Sequence, residues 1–343
     1  MSIEVDGAVA GTGVDVGVPW HYGDPLREQR VLAEGAGLID RSNRDVLTVT
    51  GEDRLPWLHT ICSQHVERLA DGDSTESLVL SPHGHVEQHW ELTELDATVW
   101  LDTEPGAAVV VLDYLQKMRF LKRVEPVDVS AGWAVLTLAG PRTADVLAAA
   151  ELPVPPAGRA VALPGEPGGF VRGRRWPAGA VDLLVPRAAQ AARSHALTAA
   201  GARPVGLWAF EALRVEQRRP RLGFETDHRT IPHEVGWIES AVHLHKGCYR
   251  GQETVARVQN LGKPPRRLVL LHLSGDAEEL PPTGTPVLAG ERAVGFLGTA
   301  VHHYELGPIA LAVIKRAVPD DAALTVAGAP VAVDVAAPAV PGA

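Results

Sequence analysis

The chain has 343 residues, of which 45% are hydrophobic and 22% charged, and carries a formal net charge of −10. Such a length predicts two to three domains and a large core that needs no covalent staples. The acidic balance excludes a global electrostatic footprint for nucleic acid and attraction to an acidic membrane surface.

Cys62 and Cys248 are the only two cysteines, too few for a disulfide framework. That usage suits a reducing cytoplasm. Met1–Asp6 is acidic and does not read as a secretory signal. No stretch approaches the ~20 apolar residues of a membrane span.

Residues 1–25 are Gly-rich and polar. Gly11-Thr12-Gly13 and Gly17 are not followed by the Gly-Lys-Ser/Thr of a phosphate loop. A flexible arm is expected there. Pro25 at its start and Gly35 and Gly37 at its end predict a helix over 25–38. A strand follows at Val46–Val49. After Gly51-Glu52-Asp53, Leu55, Leu58 and Ile61 recur at a spacing that suits one buried helix face.

Residues 76–102 read as three short strands. A helix is expected near 107–119, with Val110, Val111, Tyr114, Leu115 and Met118 on its apolar side. Strands at Val127–Val129 and Ala134–Leu138 lead to a helix opened by Gly140-Pro141. The Pro/Gly-rich stretch 151–179 reads as decorated loops around Phe170-Val171, and Val181–Val185 is a further strand. Helices follow near 187–200 and 206–218. In the second, Leu207, Phe210 and Leu213 form the buried stripe, with Glu211, Arg214 and Glu216 on other faces.

From about 262 the texture changes to short strands separated by turn residues: Leu268–Leu273, Pro286–Leu288, Val294–Thr299, Ile309–Ile314 and a last pair near 323–334. This predicts an all-β module, a small barrel. Residues 336–343 are Ala/Pro-rich, and fraying is expected.

The chemistry concentrates in Lys246-Gly247-Cys248-Tyr249-Arg250-Gly251-Gln252-Glu253. Glycines let backbone approach a ligand closely. Flanking cations lower a thiol pKa, so Cys248 could be a reactive thiolate. The plain alternative is a Gly-rich strand-to-turn joint whose small Cys fills a gap.

Glu216 could grip an aminopyrimidine edge with two acceptor oxygens. Against that stands a surface i,i+3 pair between Glu211 and Arg214. His83, His85, His89, His302 and His303 lack a recognised ligand spacing, and no metal ligand is assigned among them. His243-X-His245 near Cys248 leaves a His/Cys ligand set open, with help from Cys62 or another protein. Two cationic stretches, Arg218-Arg219-Pro220-Arg221 with Arg229 and Lys263 with Arg266 and Arg267, read as solvated loops or as attraction for a polyanionic tail. No Gly-X-Ser-X-Gly elbow supports a hydrolase.

The octapeptide resembles the signature of the YgfZ-type folate-binding proteins, within the larger aminomethyltransferase (glycine cleavage T-protein) family. Supporting matches are Gly37-Leu38-Ile39-Asp40-Arg41-Ser42, Leu138-Ala139-Gly140-Pro141, Leu213-Arg214-Val215-Glu216, Gly295–Thr299 and Gly307-Pro308-Ile309-Ala310-Leu311-Ala312. The resemblance implies an α+β fold, a three-lobed cloverleaf with a discontinuous first domain (1–50 with 127–261), a second lobe (51–126), a C-terminal β-barrel (262–335) and a tail (336–343).

It also implies a cytoplasmic protein that binds tetrahydrofolate or a one-carbon derivative. Glu216 would hold the pteridine and Arg214 orient it. Lys246, Gly247, Tyr249, Arg250, Gly251, Gln252 and Glu253 would line the site, and Cys248 would be the working thiol. The implied partners are iron–sulfur proteins or assembly factors, and through them tRNA modification, with no direct nucleic acid and no membrane.

One departure bears on catalysis. Aminomethyltransferases carry "G-G-I-x-D-D" where this chain has Gly84-His85-Val86-Glu87-Gln88-His89. An amide at Gln88 cannot act as a base, and Glu87 would face the other side of a strand. The "R-x-E-A-G" glycine is also absent, Gln217 and Arg218 standing there. The reading is therefore an accessory protein without aminomethyl transfer. A folate-dependent aminomethyltransferase or demethylase using another base, and a scaffold without folate, remain as alternatives.

Overall fold

The computed structural model describes residues 7–165, 168–274 and 279–335. The expectation of a frayed 336–343 tail lies outside them. The chain divides into two compact units, one of residues 1–59, 66–76 and 90–210, the other of 60–65, 77–89 and 211–343.

Two open sheets and a barrel form the frame. The six-stranded sheet runs Ala160–Ala162, Phe170–Gly173, Val181–Pro186, Trp133–Ala139, Gly37–Asp40, Arg203–Val205. Its last pair is parallel. The five-stranded sheet runs Ser74–Leu80, Val86–Leu95, Thr98–Thr103, Asp45–Thr50, Glu125–Asp128.

In the first unit, the six-stranded sheet is apolar on both faces. Leu136, Leu138, Val171, Leu183 and Val185 enter one core with Leu147 and Leu197 of two helices. Val135, Phe170 and Leu184 enter another with Val46 and Trp100. A strand covered on both sides reads as a continuous apolar run, which is why Val181–Val185 stood out in the sequence. Helix Pro25–Glu34 starts where Asp24 accepts the Arg27 amide and Pro25 takes the first turn.

Three expectations are corrected in this unit. The arm is not wholly loose, since Val9–Ala10 pairs with Pro19–His21. In helix Ala108–Lys117 only one side of the apolar set is covered: Val111 and Leu115 are buried, whereas Val110 is 57% exposed. Strand Ala160–Ala162 hides inside the Pro/Gly-rich stretch.

This unit also buries charge. Arg172 lies directly opposite Asp182 across neighbouring strands, and Asp182 opposite Thr137. Asp182 accepts hydrogen bonds from Arg172, Arg174 and Thr137 and lies 3.7 Å from Arg41. Asp102 pairs with Arg172 at 2.6 Å and Arg44 at 2.7 Å. Burial alone would raise the Asp182 carboxyl, but Arg174, Arg172 and Arg41 hold it well below the usual carboxylate range.

In the second unit the strands Arg266–His272, Gly307–Lys315, Arg292–His303, Pro286–Ala289, Leu324–Val326 and Ala329–Val333 close into a barrel, sealed by Leu271 opposite Val333. Alternation does the sorting. Val269, Leu271, Ala310, Ala312 and Ile314 fill the interior. Leu268, Leu270, Ile309, Leu311 and Val313 pack outward on Ala212, Val215, Trp237 and Tyr249. That outer core seats the candidate site.

Candidate functional site

The residues singled out in the sequence all belong to the second unit. Helix Leu207–Glu216 supplies Arg214 and Glu216. The Glu211–Arg214 pair is real but buried, not a surface pair. Arg214 donates to Glu211 Oε2 at 2.7 and 3.1 Å, to Glu225 Oε2 at 2.9 Å and to the Arg219 carbonyl at 2.6 Å, and also to Thr299. Burial would lower its pKa, yet Glu211 and Glu225 raise it above the ordinary value.

Glu225 binds the Thr299 amide at 2.7 Å. This close approach requires Gly298, because a Cβ there would stand 2.5 Å from the Glu225 carboxylate. No periodicity or motif points to Glu225. It sits in a Gly-Phe-Glu turn without periodicity.

Glu216, two residues beyond Arg214, is left open. Its side chain is 40% exposed, and Oε2 lies 3.8 Å from His303 Nε2. His303 Nδ1 accepts the Glu305 and Leu306 amides at 3.2 and 3.1 Å. The opposite nitrogen is then the one that carries a proton toward Glu216.

The octapeptide is a turn that runs into a helix, not a strand-to-turn joint. Gly251 is the N-cap of helix Gln252–Leu261, with φ +82°. A Cβ at Gly251 would stand 2.6 Å from the Ser81 carbonyl and 2.9 Å from Gly84 Cα. The turn 81–84 and the helix start therefore touch backbone to backbone. Gly247 has open space where a Cβ would go. Gln252 donates to the Lys246 carbonyl at 3.4 Å. Glu253 is exposed in the first helical turn, where a negative charge suits the helix dipole.

The cations beside Cys248 are engaged elsewhere. Lys246 is buried and donates to the Cys62 and Gln64 carbonyls at 2.6 and 2.9 Å, with Nζ 5.1 Å from the Tyr249 ring centre. Arg250 pairs with Glu87 at 2.8 Å. Cys248 is exposed and Cys62 buried.

Tyr249 is buried, its hydroxyl has no partner among the described residues, and burial pushes its phenol up to about 12. The Gln88 amide oxygen is likewise buried and unpartnered. His89 stacks on Trp237 at 4.8 Å and 12°. No carboxylate occupies either position.

The two cationic stretches prove to be mainly internal. Arg221 lies 3.8 Å from Glu211, and Arg218 donates to the Asp334 carbonyl. Arg266 is clamped between Asp227 and Glu234 at 2.7 and 2.8 Å, and Arg267 pairs with Asp320 at 2.6 Å.

With this geometry in view, the comparisons with known proteins are informative. A GCVT N-terminal domain matches residues 2–154, and a CAF17 C-terminal β-barrel domain matches residues 266–339. An aminomethyltransferase of Symbiobacterium thermophilum is 28% identical over 300 residues, covering 82% of this chain and 79% of its own. A chloroplastic protein of Arabidopsis thaliana with a provisional transferase name is 26% identical over 269 residues, covering 77% of this chain but 61% of its own length. The crystal structure of the glycine cleavage system aminomethyltransferase T from Bartonella henselae shares the fold. Its TM-score is 0.84 at 20% identity, over 95% of this chain and 93% of that one.

Proposed function

This chain belongs to the aminomethyltransferase-like family that joins a GCVT N-terminal domain to a CAF17 C-terminal β-barrel, and from that premise we propose that it binds a tetrahydrofolate as an accessory protein for iron–sulfur cluster assembly or repair, without transferring an aminomethyl group. The half-exposed Glu216 carboxylate carries the reading. Beside a fully engaged Arg214 it keeps acceptor oxygens accessible to solvent.

The remaining groups suit a pterin. An aminopyrimidine edge offers paired donors, which a carboxylate accepts in bidentate fashion. The Tyr249 hydroxyl and the Gln88 amide oxygen are a buried donor and a buried acceptor that lack partners among the described residues. Unpaired buried groups cost ~1–3 kcal/mol each, which a polar ligand would recover. Arg214 orients Glu216 through the helix they share. Gly251 sets the direction in which the Cys248 turn meets helix Gln252–Leu261.

The argument against carbon transfer is chemical. Gln88 has no proton affinity near neutrality, His89 is held flat against Trp237, and Glu87 is paired with Arg250. None is a free carboxylate base. An exposed Cys248 offers the thiol through which a client protein or cluster would be met.

Titration of the full chain with tetrahydrofolate tests the binding half. Glu216→Gln should weaken binding on the order of tenfold or more, the loss of one charged hydrogen-bond pair. Equal affinities for the two proteins would remove Glu216 from the site. Turnover of a methylamine donor with tetrahydrofolate would reinstate the enzyme reading. The iron–sulfur half is tested by deleting the gene and assaying iron–sulfur enzymes, with Cys248→Ala as the rescue control. Full rescue by that variant would take the thiol out of the role.

A further inference from the structure

His243 and His245 lie close to Cys248 in sequence, and both stand outside the proposed folate groups. His65, His243 and His245 stand together in the second unit. The His65 and His243 ring centres are 5.2 Å apart and tilted by 52°, and those of His243 and His245 are 6.4 Å apart and nearly perpendicular.

We propose that His65, His243 and His245 form a binding site for a divalent late first-row transition ion, zinc being the representative.

Distance supports it first. An imidazole nitrogen binds zinc at ~2.0–2.1 Å, which places the ring centre ~3.2 Å from the metal, so two rings at a tetrahedral angle have centres ~5 Å apart. The His65–His243 spacing already has that value. His245 is exposed, and its ring centre stands 6.4 Å from that of His243.

The scaffold supports it next. The segments that carry the rings are tied together by five hydrogen bonds. Ser63 Oγ donates to the Ala241 carbonyl at 2.6 Å, Gln64 to the Ser240 carbonyl at 3.0 Å, and the His243 amide to the Ser63 carbonyl at 3.0 Å. Lys246 Nζ adds two, to the Cys62 and Gln64 carbonyls. The residues just before His65 are thus fixed against those around His243 before any ion arrives, which is what a binding site needs.

Donor chemistry supports it last. His243 is half-buried. Its Nδ1 is buried and without a partner among the described residues. Imidazole nitrogens favour zinc, copper or nickel over magnesium or calcium. Three ligands leave a fourth position open to water or to a fourth group.

The proposal does not need folate to bind. Full-length protein stripped with a chelator is titrated with Zn²⁺ in competition with a chromophoric chelator, and with Co²⁺ for its visible spectrum. One equivalent is expected, with a tetrahedral cobalt spectrum. His245→Gln and His65→Gln should each weaken binding at least about tenfold, while Cys248→Ser should keep it. His245 is exposed, so its variant folds, and circular dichroism verifies this. No binding, undiminished affinity in both histidine variants, or loss of binding with Cys248→Ser alone would each overturn the site.

Discussion

In the first unit, Arg41, Arg44, Arg172 and Arg174 surround two buried aspartates, Asp102 and Asp182; in the second, a single Arg214 bridges two buried glutamates, Glu211 and Glu225. The first network has more cations than buried anions, and one of its members records the excess. Burial first, then Arg44 and Arg174, brings Arg41 down to about 9. The second has more anions than Arg214 can match, and Arg221 and backbone amides make up the difference. Neither network leaves its central group available to a ligand. Both units hold buried polar atoms without partners among the described residues, the Tyr22 and Ser194 hydroxyls in the first and the Gln88 amide oxygen and Tyr249 hydroxyl in the second; what distinguishes the second is Glu216, a half-exposed carboxylate two residues beyond Arg214. Buried charge marks the frame, and an open carboxylate marks the site.

The comparison is broken most directly by removing the centre of each network. Asp182→Asn strands three arginines in the first unit, and Arg214→Ala strands two glutamates in the second. Each should cost ~3–5 kcal/mol in urea unfolding, the range for breaking a buried ion pair on one side. Arg214→Lys should recover only part, since an ammonium cannot span both glutamates, the Arg219 carbonyl and Thr299. Should Arg214→Ala unfold no more easily than wild type yet lose tetrahydrofolate, Arg214 would be a ligand group and the contrast would fail. Acid sharpens the first half. The Asp182 carboxyl is depressed in the folded state, so its stabilisation is present above the unfolded pKa of ~3.9 and is lost as pH falls toward the folded value. Asp182→Asn should therefore flatten the decline in stability below pH ~4 relative to wild type.

A mid-sized effect separates the two glycines of the octapeptide. Gly251→Ala meets both a left-handed φ and backbone atoms under 3 Å away, and should cost ~2–4 kcal/mol. Gly247→Ala meets open space, and should change stability by no more than ~0.5 kcal/mol. Equal costs in urea unfolding would mean that the turn is not held as described.

Those glycines show what could be read from the chain and what could not. The motif was legible as eight residues, but not that only Gly251 is sterically required. That depends on the turn 81–84, some 170 residues earlier in the chain. The barrel strands were legible because their alternation is local. Helix Gln252–Leu261 was missed because its start is a left-handed glycine in place of a Ser, Thr or Asp cap. Arg214 was placed on an outer face because helical period alone cannot foresee Glu225 arriving from the following loop. The Arg218–Arg221 and Arg266–Arg267 stretches looked solvated for the same reason: their carboxylate partners are distant in sequence. Glu216 was legible only through its motif, since no periodicity distinguishes an open carboxylate from a surface one.

The smallest expected effect tests the under-satisfied side of the comparison. The Tyr249 hydroxyl makes no hydrogen bond among the described residues, so Tyr249→Phe should not destabilise near neutrality and should raise stability by up to the ~1–3 kcal/mol that an unpaired buried group costs. Its phenol is pushed by burial up to about 12 in the folded state, against ~10 when unfolded. A raised folded pKa gives stability that is complete below pH ~10 and falls as pH climbs toward 12. Tyr249→Phe should therefore lose less stability than wild type between those values, and its ultraviolet titration should lack one late-ionising phenol. If instead Tyr249→Phe proves strongly destabilising at pH 7, the hydroxyl has a partner inside the protein. It would then belong with the frame, and Glu216 would face the ligand without it.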